Sequence, residues 1–153
     1  MYEYQHTQPG TLVRILVGCL AIAFGSAAVA VPLVGGQPSA VAAYGFAAAI
    51  MGGVLALFHS LRVQVSENDV VLTFGVGLIG KSFVVNDIES AAVVRNRWYY
   101  GWGIKKIPGG WVYNVSGFDA VEIQLNNGRC DRIGTDEPEK LHAAIESVIG
   151  STK

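Results

Sequence analysis

The chain has 153 residues, of which 51% are hydrophobic and only 15% are charged, and its net charge is −1 at pH 7. This length allows one ordinary domain, or a membrane anchor with a small domain. A net charge so close to zero argues against bulk binding of nucleic acid or another polyanion. Apart from Glu3 and Arg14, every Asp, Glu, Lys and Arg lies at or after Arg62.

Two long apolar runs follow the N-terminal tail, at residues 12–34 and 39–61. Each is longer than the roughly 20 residues that a helix needs to cross a bilayer. Gly35-Gly36-Gln37-Pro38 separates the runs, and such residues favour a tight reversal of the chain. Neither run has a polar stripe that could face water. The sequence therefore predicts a transmembrane helical hairpin.

The flanking charges indicate an orientation for this hairpin. Arg14 lies at its start and Arg62 follows its end, while the turn between the helices is uncharged. The positive-inside rule then places both termini in the cytoplasm. A cleaved signal peptide is the alternative, because Arg14, an apolar stretch and Ala28-Val29-Ala30 resemble its three parts.

The sequence after residue 60 predicts short strands with alternating apolar side chains. Asn127-Gly128 is a strong signal for a two-residue hairpin turn. The seven predicted strands span residues 61–66, 70–74, 81–85, 88–94, 111–115, 120–125 and 129–133.

A C-terminal helix is predicted to close the sheet. Asp136 can cap it, Pro138 occupies its first turn and Glu139 completes a capping pattern. An apolar stripe recurs at helical spacing and should face the strands; it consists of Leu141, Ala144, Ile145 and Val148. We therefore divide the chain into a tail (1–11), a hairpin (12–60), a β domain (61–150) and a short tail (151–153).

The order of elements after residue 60 resembles that of a pleckstrin-homology (PH) fold. Residues 61–149 are similar to bacterial PH-like domains that follow paired membrane spans. The segments that carry the resemblance are 87–90 (DIES), 98–104 (WYYGWGI), 110–117 (GWVYNVSG) and 134–138 (GTDEP). The resemblance implies a mainly-β barrel or sandwich of about seven antiparallel strands with one C-terminal helix. It implies a membrane location more strongly than any activity.

One motif points to a different function. Residues 75–82, GVGLIGKS, match the phosphate-binding pattern GxxxxGK[ST]. That loop binds phosphate only between a strand and a helix, and Phe83-Val84-Val85 favours a strand instead. We therefore interpret the glycines as a tight hairpin with positive φ angles, and P-loop nucleotide binding remains the least favoured alternative.

An aromatic–basic segment, residues 95–113, contains the candidate binding residues. Trp, Tyr and Arg dominate protein-binding hot spots, whereas Trp and Tyr with Lys and Arg also suit a membrane surface with anionic lipids. Packing over one end of the β domain would explain the aromatic residues equally well. The candidates are Arg95, Arg97, Trp98, Tyr99, Tyr100, Trp102, Lys105, Lys106, Trp111 and Tyr113.

Catalytic chemistry is not indicated by the sequence. His6, His59 and His142 lie far apart, so no metal-ligand pattern emerges, and no Ser or Cys has the context of a nucleophile. We expect a non-enzymatic binding or scaffold module at the cytoplasmic face of the cell membrane, with no cofactor and no nucleic acid. Its expected partner is another membrane protein or a second copy of the chain, and the alternative is an anionic lipid headgroup.

Overall fold

The structure, a computed structural model, describes residues 2–152. This part of the chain contains three α-helices and nine strands. The helices are α1 (Thr11–Leu33), α2 (Pro38–Phe58) and α3 (Pro138–Thr152). The strands are β1 (Tyr2–Pro9), β2 (Ser60–Ser66), β3 (Asp69–Phe74), β4 (Ile79–Val84), β5 (Ile88–Arg95), β6 (Gly103–Ile107), β7 (Gly110–Asn114), β8 (Asp119–Leu125) and β9 (Cys130–Gly134). The predicted strands correspond to β2–β5 and β7–β9, whereas β1 and β6 are additional.

The two apolar runs form an antiparallel helical hairpin, as predicted. Gly35 adopts a positive φ of 75° in the turn, and Pro38 begins α2, where its missing N–H leaves no hydrogen bond unmade. Within residues 11–33 and 38–58 no side chain is buried, so neither helix is a core helix of the β domain. Both are long and apolar enough to cross a membrane.

The base of the hairpin is fixed by hydrogen bonds between its two ends. The backbone N–H of Gly10 donates to the carbonyl oxygen of His59 at 2.8 Å, and Arg14 Nε donates to the same oxygen at 2.9 Å. A Cβ atom at position 10 would lie 2.7 Å from the carbonyl oxygen of Phe58, so this close approach requires glycine. The start of α1 and the end of α2 are therefore adjacent.

The strands form two separate sheets rather than a closed barrel. One has the order β1-β2-β3-β4 and the other has the order β5-β8-β9-β7-β6. The architecture is sandwich-like. The expectation of only antiparallel pairs is wrong for β7 and β9, which are parallel. The reason is that β9 turns back from β8 and enters the sheet between β8 and β7.

The core lies between the sheets and is covered by α3. The predicted stripe of α3 faces it, with Leu141, Ile145 and Val148 buried and Ala144 packed beside them. At the start of α3, the Glu137 backbone N–H donates to the Thr135 hydroxyl. The adjacent Asp136 carboxylate lies 2.7 Å from His6 Nε2 on β1.

Residues 2–9, which the sequence assigns to a tail, form an edge strand of the first sheet. β1 pairs antiparallel with β2, with Gln5 opposite Gln64. Gln8 on β1 is only 4% exposed, and its Nε2 donates to the carbonyl oxygen of Ser116 at 3.1 Å. Tyr4 packs against the core. The N-terminal strand is thus an integral part of the β domain.

The half-buried phenol of Tyr4 makes the stability of the fold decrease with pH in the alkaline range. Burial, and then the negative charges of Glu137 and Asp136, raise the pKa of Tyr4 to about 12. Since an unfolded tyrosine ionises near its ordinary pKa of about 10, the unfolded chain loses this proton first. Stability is therefore lost as the pH rises from about 10 towards 12.

We expect Tyr4→Phe, which cannot ionise, to weaken this pH dependence. The measurement is denaturant unfolding of the full chain in detergent at about pH 9 and about pH 11. The fall in unfolding free energy between the two conditions should be smaller in Tyr4→Phe than in the parent chain. Equal falls would show that Tyr4 does not carry the effect.

Candidate functional site

The GVGLIGKS segment forms the β3–β4 hairpin, which confirms its interpretation as a tight turn. Gly75 and Gly77 have φ angles of 47° and 93°, and Ser82 lies within β4 rather than at the start of a helix. The turn packs on the end of α2, because the Val76 backbone N–H donates to the Ala56 carbonyl oxygen at 3.2 Å. A Cβ atom on Gly75 would collide with that same carbonyl oxygen.

The tip of this hairpin is apolar and exposed. The exposed fractions of Val76 and Leu78 are 60% and 80%. Val76 lies beside the last turn of α2, through the hydrogen bond of its backbone N–H to Ala56. The exposed apolar tip was not predicted from the sequence, because the segment was interpreted only as a phosphate loop or a turn.

Four candidate residues form an exposed cluster, which we call the aromatic cluster: Arg97, Trp98, Tyr99 and Tyr100. Trp98–Tyr100 form a single helical turn after β5. Trp98 is 78% exposed and Tyr99 is 52% exposed. Arg97 donates to the Tyr99 hydroxyl at 2.6 Å, and the Tyr99 ring packs edge-on against Trp98 and Tyr100 with centroids 5.9 and 5.1 Å apart.

Arg132 on β9 contacts the aromatic cluster, although it was not among the residues predicted from the sequence. Its guanidinium lies 5.7 Å from the centroid of the Tyr100 ring, within the range of a cation–π contact. Arg132 Nε also donates to Glu122 at 2.7 Å, which fixes the guanidinium on the sheet. Because Tyr100 and Arg132 are 32 residues apart in the sequence, no local sequence pattern could have revealed their contact.

Arg95 and Trp102 both contact the Phe118 ring. The Arg95 guanidinium is 5.9 Å from the Phe118 centroid and 3.3 Å from the Asp119 carboxylate. The Trp102 and Phe118 rings have centroids 6.4 Å apart. The charge of Arg95 is therefore already paired within the chain.

The remaining four candidates lie on the β6–β7 hairpin. Lys105 and Lys106 are exposed on β6, which is an edge strand, and Trp111 is 38% exposed opposite Lys106. Tyr113 belongs to the core: it is 7% exposed and packs edge-on against Phe83. Burial, and then the negative charge of Asp131, raise the pKa of Tyr113.

An apolar groove of about 310 Å³ lies between the helical hairpin and the start of β6. We call it the hairpin groove. The segment that follows the aromatic cluster therefore lies against the first turns of α1 and the last turns of α2. The groove is lined by Val13, Val17, Val54, Phe58, Trp102, Gly103 and Ile104.

A second cavity, of about 300 Å³, opens between β4 and the β8–β9 turn and is lined by both polar and apolar residues. Lys81 and Arg129 contribute cations to its lining and Asp87 an acid. Arg129 is also paired with the fully buried carboxylate of Asp131 at 3.0 Å. The charges around this cavity are nearly balanced, so they create no marked preference for an anion.

Within residues 2–152, no three His, Cys, Asp or Glu side chains are placed to hold a metal ion together. Comparison with known proteins adds no assignment: no protein-family model and no curated protein matches the chain.

Proposed function

We propose that the chain is a membrane-anchored binding module, in which a PH-like β domain at the cytoplasmic face engages a protein partner through the aromatic cluster. The partner is another membrane protein or a second copy of the chain. Catalysis is not part of this proposal.

The main support for this proposal is that the rings of the aromatic cluster are exposed but held in place by their neighbours. Trp98 and Tyr99 present large surfaces to solvent. Arg97 and Tyr100 contact Tyr99, and Arg132 lies against the Tyr100 ring. Rings already held in one arrangement lose little conformational entropy on binding. Trp, Tyr and Arg are also the residues that contribute most to protein interfaces.

The membrane placement rests on the two apolar helices and on the geometry of their ends. Since β1 pairs with β2, the start of α1 and the end of α2 are held side by side. A hairpin that crosses the membrane with this geometry leaves both of its ends on one side. Arg14 and Arg62 flank it there, which favours the cytoplasm by the positive-inside rule.

The test is capture of a partner from native membranes by photo-crosslinking of the full chain. We expect the double variant Trp98→Ala, Tyr99→Ala to lower the yield of one defined crosslinked polypeptide about tenfold, because the variant removes the centre of the interface. Trp111→Ala is the matched control, since this exposed tryptophan lies outside the aromatic cluster. A yield unchanged by the double variant would overturn the proposal.

Anionic lipid headgroups are the second candidate ligand, favoured by one observation. Lys105 and Lys106 are exposed on β6, and the first residues of this strand line the hairpin groove beside the helices. Lysine near an anionic bilayer gains about 1 kcal/mol.

Thermal unfolding in nanodiscs separates the two candidates. Headgroup binding predicts that the full chain is more stable in anionic than in zwitterionic nanodiscs, and that salt or Lys105→Glu with Lys106→Glu removes the difference. If the double lysine variant keeps the difference, the headgroup candidate fails while the protein partner stands.

A further inference from the structure

The β3–β4 hairpin ends in an exposed apolar turn, residues 75–78, which we call the β3–β4 tip. Val76 and Leu78 are 60% and 80% exposed, and no residue from 75 to 80 is charged. Single exposed apolar side chains are common on soluble proteins. These two differ because the tip that carries them lies against an apolar helix.

The β3–β4 tip extends along α2 towards the middle of that helix. The Gly75 backbone N–H donates to the Ser60 carbonyl oxygen at 2.9 Å, and the next N–H, that of Val76, donates to the Ala56 carbonyl oxygen at 3.2 Å. One step along the tip therefore corresponds to four residues back into the helical hairpin. The tip points away from the β domain and towards the apolar part of the helices.

Arg14 marks the level at which the helical hairpin meets polar surroundings. Its guanidinium donates to the His59 carbonyl oxygen, and a charged group stays at the level of the lipid headgroups or outside it. Ala56 lies three residues before His59, which is about 4.5 Å along a helix. If the helices cross a membrane, Val76 therefore lies where the headgroups meet the acyl chains.

The backbone of the tip is already prepared for an apolar environment. In lipid a backbone N–H must be paired within the protein, because hydrocarbon offers no acceptor. The N–H groups of Gly75, Val76 and Gly77 donate to carbonyl oxygens of the chain at 2.9, 3.2 and 2.8 Å. These three donors need no water, so the tip can enter lipid without leaving them unpaired.

We infer that the β3–β4 tip inserts into the cytoplasmic leaflet beside α2, with Val76 and Leu78 between the headgroups and the first carbons of the acyl chains. This inference rests on the proposed membrane placement. The tip continues the lipid-facing surface of α2, and removal of its apolar side chains from water is favourable. It gives the β domain a second contact with the membrane, which fixes the orientation of the domain on the bilayer.

The test is quenching of a fluorophore by phosphatidylcholine that carries nitroxides along its acyl chains. The fluorophore is attached to Leu78→Cys in the full chain, in which Cys19→Ala and Cys130→Ala remove both natural cysteines, and the protein is placed in nanodiscs. Nitroxide lipids should lower the emission about twofold, because a group roughly 5–10 Å inside the membrane surface meets the quencher.

Two further labelling sites are the controls. Asn68→Cys is the matched control, because Asn68 is exposed in the turn at the opposite end of β3, roughly 20 Å away along the strand. Its label should not be quenched. Ile50→Cys reports on the membrane placement itself, since Ile50 is 45% exposed near the middle of α2. Its label should be quenched.

The inference fails if the label at position 50 is quenched while the label at position 78 is as unaffected as that at position 68. The membrane placement then stands. A label at position 78 that neither nitroxide lipids nor iodide in the water can quench would show that protein, such as a second copy, covers the tip, which also overturns the inference. An unquenched label at position 50 would instead remove the membrane placement and the proposed function with it.

Discussion

Replacing Tyr4 and Gln8 together by alanine should lower the unfolding free energy of the full chain by about 3 kcal/mol. Tyr4 packs against the core, and the buried Gln8 side chain donates to the Ser116 carbonyl oxygen. Loss of partly buried aromatic surface costs about 2 kcal/mol and loss of a buried hydrogen bond about 1 kcal/mol. Denaturant unfolding in detergent, followed by circular dichroism, measures the change.

The opposite face of the same strand provides the control. Gln5 and Thr7 are exposed and make only exposed contacts, with Gln64 and Arg62. Their double replacement by alanine should cost less than about 1 kcal/mol. Equal costs for the two pairs would contradict the packing of β1 on the core.

Asp131→Ala should destabilise the β domain by about 2–4 kcal/mol. The Asp131 carboxylate is fully buried, accepts the Trp111 backbone N–H at 2.9 Å and pairs with Arg129 at 3.0 Å. Alanine leaves the N–H and the guanidinium without this acceptor, and breaking such a buried pair is costly. The same unfolding assay measures the effect.

Asp119→Ala is the matched control for Asp131→Ala, because it makes the same substitution at an exposed site. This aspartate also pairs with an arginine, Arg95, but its side chain is 52% exposed. An exposed ion pair contributes less than about 1 kcal/mol. If Asp119→Ala cost as much as Asp131→Ala, burial would not explain the role of Asp131.

The helices could be predicted closely because their signals are local. The predicted first run, 12–34, differs by one residue at each end from α1, and α2 begins at Pro38, one residue before the predicted second run. The end of α2 was placed three residues too late. Leu61 is as apolar as the helix before it, but it is the first buried apolar residue of β2. Apolar composition alone does not separate a helix from a strand at this position.

The two strands that were missed lack the local signal that revealed the others. The inward residues of β1, Tyr4, His6 and Gln8, carry polar groups, so the strand shows no apolar alternation. Its partner β2 follows the whole helical hairpin. In β6, Lys105 and Lys106 interrupt the apolar pattern. Pairing over such distances is decided by tertiary structure, which also overrides local propensity.

The division of residues 95–113 into exposed and buried surfaces could not be predicted from the sequence. Tyr113 is buried and Trp98 is exposed, although both are aromatic residues beside glycine-rich or basic sequence. The partner of Tyr100, Arg132, comes from β9. Burial of an aromatic ring depends on which strand lies across from it.

The pairing of β1 with β2 imposes an order on biogenesis. β1 leaves the ribosome before α1 and α2, yet its hydrogen-bonding partner is synthesised only after both helices. The first sheet therefore cannot be completed until the hairpin has been made and its two ends brought together. Contacts so distant along a chain form late and slowly, and until then the edge of β2 stays open to pairing with other strands.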